Sequence, residues 1–153
     1  MPIAWPMTTS PALTDRLEPV AVLSSTPGGL VIRCRERAGG REVVLKHSHT
    51  AQRGDRVLNA RFVRESRTLA RLAHPGVLAV LDCGEDDGSR YLILEYLDGP
   101  TLEQKVESRG PLPVAEAVHL QHQLLDALAS VHEAQVLHRD VKPANILLVP
   151  GRG

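Results

Sequence analysis

The sequence shows no excess of charge of either sign, because Lys and Arg together number 18 and Asp and Glu together also number 18. A chain without a global charge has no general attraction to nucleic acid or to anionic membranes, so neither is expected as a partner. No apolar run approaches the roughly 20 residues that span a bilayer, and no basic segment followed by an apolar run marks an export signal. We therefore expect a cytoplasmic protein with no membrane segment in this chain.

Cysteine is also scarce, and Cys34 and Cys83 are isolated from each other and lack any CxxC spacing. Such cysteines predict reduced thiols that pack in the interior rather than a disulfide. The rest of the composition, 42% apolar and 24% charged in 153 residues, is typical of one globular domain with a real core.

Strand patterns come first along the chain and helical patterns come later, which predicts an α+β fold. Prolines among small and polar residues in positions 1–16 predict a flexible leader. The β-prone runs predict a five-stranded sheet, with strands at 20–23, 30–33, 42–46, 77–81 and 91–95. The apolar period predicts one major helix at 56–73 and later helices at 102–107 and 114–133.

Glu65 lies on the apolar stripe of the helix predicted for residues 56–73, three residues after Phe62 and four before Leu69. A buried carboxylate needs a partner, since removing one member of a buried pair costs roughly 3–5 kcal/mol. Lys46, at the end of the preceding strand, is the natural candidate. The alternative is a glutamate that interrupts the stripe and reaches water.

The segment from His138 to Leu148 sets polar and charged groups ahead of three apolar residues. Asp140 is the predicted catalytic carboxylate, because accepting a hydroxyl proton requires an ionised acid held near the nucleophile. Lys142 can steady charge on a transferring phosphoryl group, and Asn145 offers a neutral oxygen suited to Mg²⁺. Singly, each residue has a structural alternative, as a turn former, a solvated charge or a cap, but the set at these spacings favours a catalytic loop.

These residues resemble the first part of a protein-kinase domain, from about Leu17 to the end of the chain. The segment from His138 to Asn145 is similar to the family's catalytic loop, and Lys142 is similar to its serine/threonine branch. Lys46 and Glu65 match the third-strand lysine and the helix glutamate that pair in the family. The resemblance implies an ATP- and Mg²⁺-dependent kinase that transfers the γ-phosphoryl group of ATP to a Ser or Thr hydroxyl of a protein substrate.

The resemblance also implies the roles of individual residues and the division of the chain. The catalytic residues are Asp140, Lys142, Lys46 and Glu65. The nucleotide-binding residues are Leu23, Gly29, Val31, Val44, Lys46, Glu95, Leu97, Asn145 and Leu147, and Asn145 is also a Mg²⁺ ligand. A flexible leader at 1–16, a kinase N-lobe at 17–98 and the start of a C-lobe at 99–153 make a protein-kinase-like fold that is incomplete.

Three departures from the family pattern limit what it implies. In the stretch that corresponds to the glycine-rich loop, Ser24 to Gly29, the last glycine alone matches, which predicts weaker phosphate binding partly offset by the hydroxyls of Ser24, Ser25 or Thr26. Val44 replaces the alanine usual in the lysine motif. No Asp-Phe-Gly sequence follows Leu148, so we expect no useful phosphotransfer by this polypeptide alone. The alternative is a pseudokinase-like module that binds nucleotide or a partner without catalysis.

Overall fold

A computed structural model describes residues 11–48, 56–86 and 88–152. The described residues form two compact units. The first contains residues 11–48, 56–71, 79–86 and 88–96, and the second contains residues 72–78 and 97–152.

The first unit is a sheet with helices. Its elements are the helical turn α1 (Pro11–Thr14), strands β1 (Leu17–Thr26), β2 (Gly29–Glu36) and β3 (Glu42–Ser48), helix α2 (Arg56–Leu69), and strands β4 (Val80–Asp86) and β5 (Ser89–Glu95). The strands pair antiparallel in the order β1-β2-β3-β5-β4. The predicted α+β fold, with a five-stranded antiparallel sheet and one major helix, is confirmed.

The core of this unit lies on one face of the sheet, because alternate residues of a strand point to opposite faces. In β2 and β3, Ile32, Cys34, Val43 and Leu45 are fully buried, whereas the residues between them are more exposed. The buried cluster consists of Leu13, Leu17, Ile32, Cys34, Val43, Leu45 and Ile93. The opposite face carries Val31, Val44 and Lys46, three of the residues that the sequence assigns to nucleotide binding.

The end of the predicted leader is ordered. Leu13, in α1, is 2% exposed and packs in the core cluster beside Leu17. Nη1 of Arg16 also donates to Oδ2 of Asp82 in β4 at 2.8 Å. The expectation of flexibility is therefore wrong for residues 11–16, where one buried leucine and one ion pair outweigh a proline-rich composition. Residues 1–10 lie outside the described residues.

Two predicted boundaries around the end of α2 are also wrong. The helix predicted for 56–73 ends at Leu69, and the strand predicted for 77–81 begins at Val80 and continues to Asp86. Residues 75–77 instead form a turn in the second unit, where the guanidinium of Arg152 donates to the carbonyl oxygens of Pro75 and Val77 at 3.0 and 3.3 Å. A contact 75 residues away in sequence fixes this turn, so local periodicity cannot reveal it.

The second unit contains α3 (Leu102–Arg109), α4 (Val114–Glu133) and a 3₁₀ turn (Pro143–Asn145). The start of α3 is stabilised by a capping box, in which the Thr101 hydroxyl accepts from the backbone N–H of Gln104 and the Gln104 side chain accepts from the backbone N–H of Thr101. The α4 helix matches its prediction in extent, but Ala127 and Val131 are its buried residues. Of the apolar residues whose spacing predicts this helix, Leu120, Leu124 and Leu128 are half-exposed.

Candidate active site

The Asp140 carboxylate is held by two neighbours in the second unit. Its Oδ1 accepts from Nζ of Lys142 at 3.1 Å, and its Oδ2 accepts from Nδ2 of Asn145 at 2.8 Å. The same Nδ2 donates to the backbone oxygen of Asp140 at 2.9 Å. The structure thus brings together the three residues that the sequence singled out in this loop.

The loop reaches this geometry through an irregular backbone. Arg139 has a φ of 62°, in the left-handed region that costs an ordinary residue about 1–2 kcal/mol. The backbone N–H of Asp140 donates to Nδ1 of His138 at 3.3 Å, and the 3₁₀ turn begins at Pro143. Together these features turn the chain back on itself, so that Asn145 reaches Asp140 across five residues.

The end of the loop is tied to the segment before α3. Leu147 forms an isolated antiparallel bridge with Thr101, and the backbone N–H of Leu148 donates to the oxygen of Pro100 at 2.9 Å. At Gly99 a Cβ atom would come within 2.5 Å of the Leu148 backbone oxygen. Close backbone packing therefore fixes the position of Leu147, one of the predicted nucleotide-binding residues.

The ion pair between Lys142 and Asp140 is exposed to solvent, so it is not the main contribution to the stability of this loop. The side chains of Lys142 and Asp140 are 54% and 60% exposed, and an exposed ion pair contributes about 0–1 kcal/mol. Both of these charged groups are accessible to a substrate. The arrangement can orient a hydroxyl group, accept its proton at Asp140 and place a positive charge beside it.

Strand register places three other predicted residues together in the first unit. Val31 in β2 is directly opposite Lys46 in β3, and Val44 lies two residues before Lys46 on the same strand. Directly paired residues and residues two apart share a face of a sheet, so these three side chains lie on the face opposite the core. Val31 and Val44 are half-buried there, and Lys46 is exposed.

Glu65 does not pair with Lys46 as the sequence predicted. Its Oε1 accepts from Nε of Arg61, one helical turn earlier in α2, at 2.8 Å. Among the described residues, no ion pair joins Lys46 to a carboxylate. The burial premise was wrong, because the Glu65 side chain is 33% exposed and, within residues 60–69 of the helix, the buried position is Ser66. Arg61 and Glu65 have the i, i+4 spacing at which side chains pair on a helix, so the sequence itself carries the signal for this pair.

The stretch that corresponds to the glycine-rich loop forms a tight turn between β1 and β2. Thr26 pairs with Gly29 across the turn, and the Thr26 hydroxyl donates to the Gly29 carbonyl at 3.3 Å. A Cβ at Gly29 would approach the backbone oxygen of His47 to 2.7 Å, so this glycine is required by the contact of β2 with β3. Leu23, assigned to nucleotide binding, is 51% exposed in β1.

The end of β5 is joined to the residue that precedes β4. The backbone N–H of Glu95 donates to the Ala79 oxygen at 3.0 Å, and the Glu95 carboxylate accepts from the Ala79 N–H at 2.7 Å. Leu97, the other predicted backbone contact for adenine, is half-buried and belongs to the second unit. Fixing both backbone groups of Ala79 holds the end of β5 in place.

Both cysteines are free, as predicted. Burial raises the pKa of the Cys34 thiol to about 12, and burial also raises the pKa of Cys83. Both thiols therefore stay protonated near neutral pH. No described helix is long and apolar enough to cross a bilayer.

Known proteins share both the sequence pattern and the fold. A family model described as the protein kinase domain matches residues 23–152. The chain is similar to the serine/threonine-protein kinase PrkC of Bacillus subtilis, with 37% identity over 108 residues, which are 71% of this chain and 17% of that protein. It is also similar to the serine/threonine-protein kinase PknB of Mycobacterium leprae, with 36% identity over 146 residues, which are 93% of this chain and 24% of that protein.

Among solved structures, the chain is similar to the kinase domain of PknI from Mycobacterium tuberculosis. The two share 34% identity with a TM-score of 0.80, and the match covers 90% of this chain and 55% of that one. The chain thus spans a quarter or less of the two curated relatives and about half of this solved kinase domain.

Proposed function

This chain belongs to the serine/threonine protein kinase family, and on that premise we propose that it serves the transfer of the γ-phosphoryl group of ATP to a Ser or Thr hydroxyl of a protein. The observation that carries the proposal is the Asp140 carboxylate held between Lys142 and Asn145. The side chain of Asp140 is 60% exposed, so a substrate hydroxyl can approach its carboxylate, which accepts hydrogen bonds when it is ionised.

In the proposed reaction, Asp140 accepts a hydrogen bond from the substrate hydroxyl and orients its oxygen towards phosphorus. As the new O–P bond forms and the bond from phosphorus to the ADP oxygen breaks, the hydroxyl proton passes to Asp140. The Lys142 ammonium stabilises negative charge on the phosphoryl oxygens during the transfer.

The side-chain oxygen of Asn145 is a suitable ligand for Mg²⁺. Because Nδ2 of Asn145 donates to Asp140, the amide is oriented with Oδ1 available as an oxygen ligand of the kind Mg²⁺ prefers. When bound, the metal ion would neutralise phosphate charge. In the first unit, Lys46 would contribute positive charge to nucleotide phosphates, and Val31 and Val44 would supply apolar contacts to adenine.

A second candidate function is a nucleotide- or partner-binding module without catalysis. The Arg61–Glu65 pair favours it, because Glu65 is engaged away from Lys46. The tight turn at Thr26 and Gly29 favours it too, since the Thr26 hydroxyl is occupied by the turn itself. The cytoplasmic location and the residue roles stay predictions.

Titration with ATP in the presence and absence of Mg²⁺ tests the proposal, with the whole chain as the protein. We expect Lys46→Met to weaken ATP binding at least about tenfold, since a charge-assisted contact to phosphate is lost. Asn145→Ala should remove most of the Mg²⁺ dependence. Arg41→Gln, at an exposed residue outside the proposed site, is the control. ATP binding that is unchanged in both Lys46→Met and Asn145→Ala would refute the proposed site.

Phosphotransfer distinguishes the two candidate functions. The coding sequence directly after Gly153 shows whether an in-frame Asp-Phe-Gly is present. If it is, the chain extended by that sequence should phosphorylate a Ser or Thr peptide, and Asp140→Asn should abolish the activity. Mg²⁺-dependent ATP binding without transfer in the extended chain would support the inert module.

A further inference from the structure

A groove of about 580 Å³ lies between α2 and β4 in the first unit. Among the described residues, it is lined by Ala60, Val63, Arg64, Arg67, Thr68, Arg71 and Glu85. None of these residues belongs to the predicted catalytic or nucleotide-binding set. We call this feature the arginine groove.

Three guanidinium groups lie along one side of the arginine groove. Arg64, Arg67 and Arg71 are three and four residues apart, a spacing that places side chains on one face of a helix. The helical path continues past Leu69, because the backbone N–H of Arg71 donates to the oxygen of Thr68 at 3.1 Å. All three arginines are exposed. The groove therefore presents a row of cations about 10 Å long, at 1.5 Å per helical residue.

These cations are not neutralised within the described part of the chain. None of the three arginines forms an ion pair with a described carboxylate. Glu85 is the single acidic side chain among the described lining residues. Other arginines of the same unit face carboxylates at 2.6–2.8 Å, in the pairs Arg16–Asp82, Arg33–Glu42 and Arg61–Glu65. The arginine groove is thus a local excess of positive charge in a chain with no net charge.

We propose that the arginine groove binds a phosphorylated segment of a partner protein. A phosphate group has three strong acceptor oxygens and up to two negative charges, so two neighbouring guanidinium groups can bind it together. A carboxylate offers only two oxygens and one charge, and exposed pairs of that kind contribute little. Phosphate is therefore the anion that best uses arginines grouped in this way.

The shape of the arginine groove fits an extended peptide. Side chains on one side of an extended strand are about 6.6 Å apart, so a cation row about 10 Å long accepts a phosphorylated residue and one further acidic residue. Val63 and Ala60 also line the groove and give it an apolar portion. This inference is independent of the proposed phosphotransfer, because it uses neither Asp140 nor Lys46.

Fluorescence anisotropy tests the proposal with the whole chain and a short labelled peptide that carries one phosphoserine among acidic residues. We expect Arg64→Gln/Arg67→Gln to weaken binding about tenfold or more, since two charge-assisted contacts are lost. The matched control is Arg41→Gln/Arg109→Gln, which removes the same charge from exposed positions outside the groove. The control should bind as the wild type does, and all affinities should fall as salt screens the exposed charges.

Three results would overturn the proposal. The first is equal loss of binding in the groove variant and the control, which would indicate a general charge effect. The second is equal binding of the unphosphorylated peptide, which would show that phosphate is not recognised. The third is displacement of the peptide by inorganic phosphate at matched concentration, which would indicate an anion site without a peptide.

Hydrogen exchange of the wild-type chain keeps the test decisive if a variant fails to fold. Addition of the phosphopeptide should slow amide exchange in residues 60–71 and in β4, the two sides of the arginine groove. Protection elsewhere with none in these segments would refute the assignment. ATP binding measured on the same samples separates a failure here from a failure of the proposed function.

Discussion

Gly29 is the glycine at which the family pattern and the structure give different reasons for the same residue. The family pattern assigns it to phosphate binding, whereas the structure places a hypothetical Cβ 2.7 Å from the His47 backbone oxygen and 3.3 Å from Cα of Ser48. Both neighbours belong to β3, which pairs with β2 at this point. Gly29→Ala should therefore destabilise the protein even when no nucleotide is present.

The expected loss of stability in Gly29→Ala follows from the contact between the new Cβ and the His47 backbone oxygen. An ordinary van der Waals separation starts near 3.4 Å, so the strands must move apart by about 0.7 Å at a ladder position. Overpacking of this kind costs about 1–3 kcal/mol. For a chain of this length each kcal/mol lowers Tm by roughly 2–4 °C, so the fall in Tm should be roughly 2–12 °C.

Gly28→Ala is a matched control in the same turn. Its nearest non-adjacent atom is Oγ1 of Thr26 at 3.8 Å, and its φ is not in the left-handed region. Alanine is therefore tolerated there, and the change in unfolding free energy should stay within about 0.5 kcal/mol. Thermal unfolding of both variants is followed by circular dichroism with and without Mg²⁺-ATP.

Equal Tm values for Gly29→Ala and the wild type without nucleotide would refute the packing argument. If only the Tm increase on adding Mg²⁺-ATP were smaller, phosphate approach would be the reason for the glycine. Equal destabilisation by Gly28→Ala and Gly29→Ala would show that the whole turn resists side chains, and that the β3 contact is not the cause.

Three further changes test other parts of the structure. Leu13→Ala should lower the unfolding free energy by about 2–5 kcal/mol in urea denaturation, because Leu13 is buried in the core; an effect below about 0.5 kcal/mol would show that α1 does not pack there. Between about pH 9 and 12, folded Cys34 keeps a proton that the unfolded chain loses, so the unfolding free energy should fall with rising pH, by at most about 1.4 kcal/mol per pH unit. Cys34→Ala should make this pH dependence less steep, and an unchanged pH dependence would contradict the raised pKa of Cys34. Asn145→Ala removes both bonds to Asp140, and a loss of about 1–3 kcal/mol in unfolding free energy is expected; no loss would mean that water replaces them at no cost.

The catalytic loop could be predicted from the sequence because its residues act through short spacings. Asp140, Lys142 and Asn145 lie within six positions, so a single irregular turn brings them together. The sheet could also be predicted from the sequence, since the buried residues of β2 and β3 alternate with more exposed ones along each strand. Where neighbours in sequence decide the geometry, composition and spacing are sufficient.

Contacts between residues that are distant in sequence could not be predicted from composition and spacing. Leu13 packs in the core although prolines surround it, and the turn at residues 75–77 depends on Arg152. For α2, a shift of one position separates the predicted buried residue, Glu65, from the observed one, Ser66. Periodicity locates a stripe on a helix to within about a residue, which is too coarse to choose between adjacent positions.

The partner of Glu65 bears directly on how this unit can engage a nucleotide. The Arg61–Glu65 pair is an exposed i, i+4 pair with 54% and 33% of its side chains accessible, and such pairs contribute about 0.3–0.5 kcal/mol. That energy changes an equilibrium by only about twofold. Any stronger interaction that Glu65 gains with Lys46 when phosphates lie beside that lysine would therefore replace Arg61. The Arg61–Glu65 pair is weak enough for Glu65 to exchange Arg61 for Lys46. It is therefore weaker evidence against catalysis than the absence of Lys46 or Glu65 from the sequence would be.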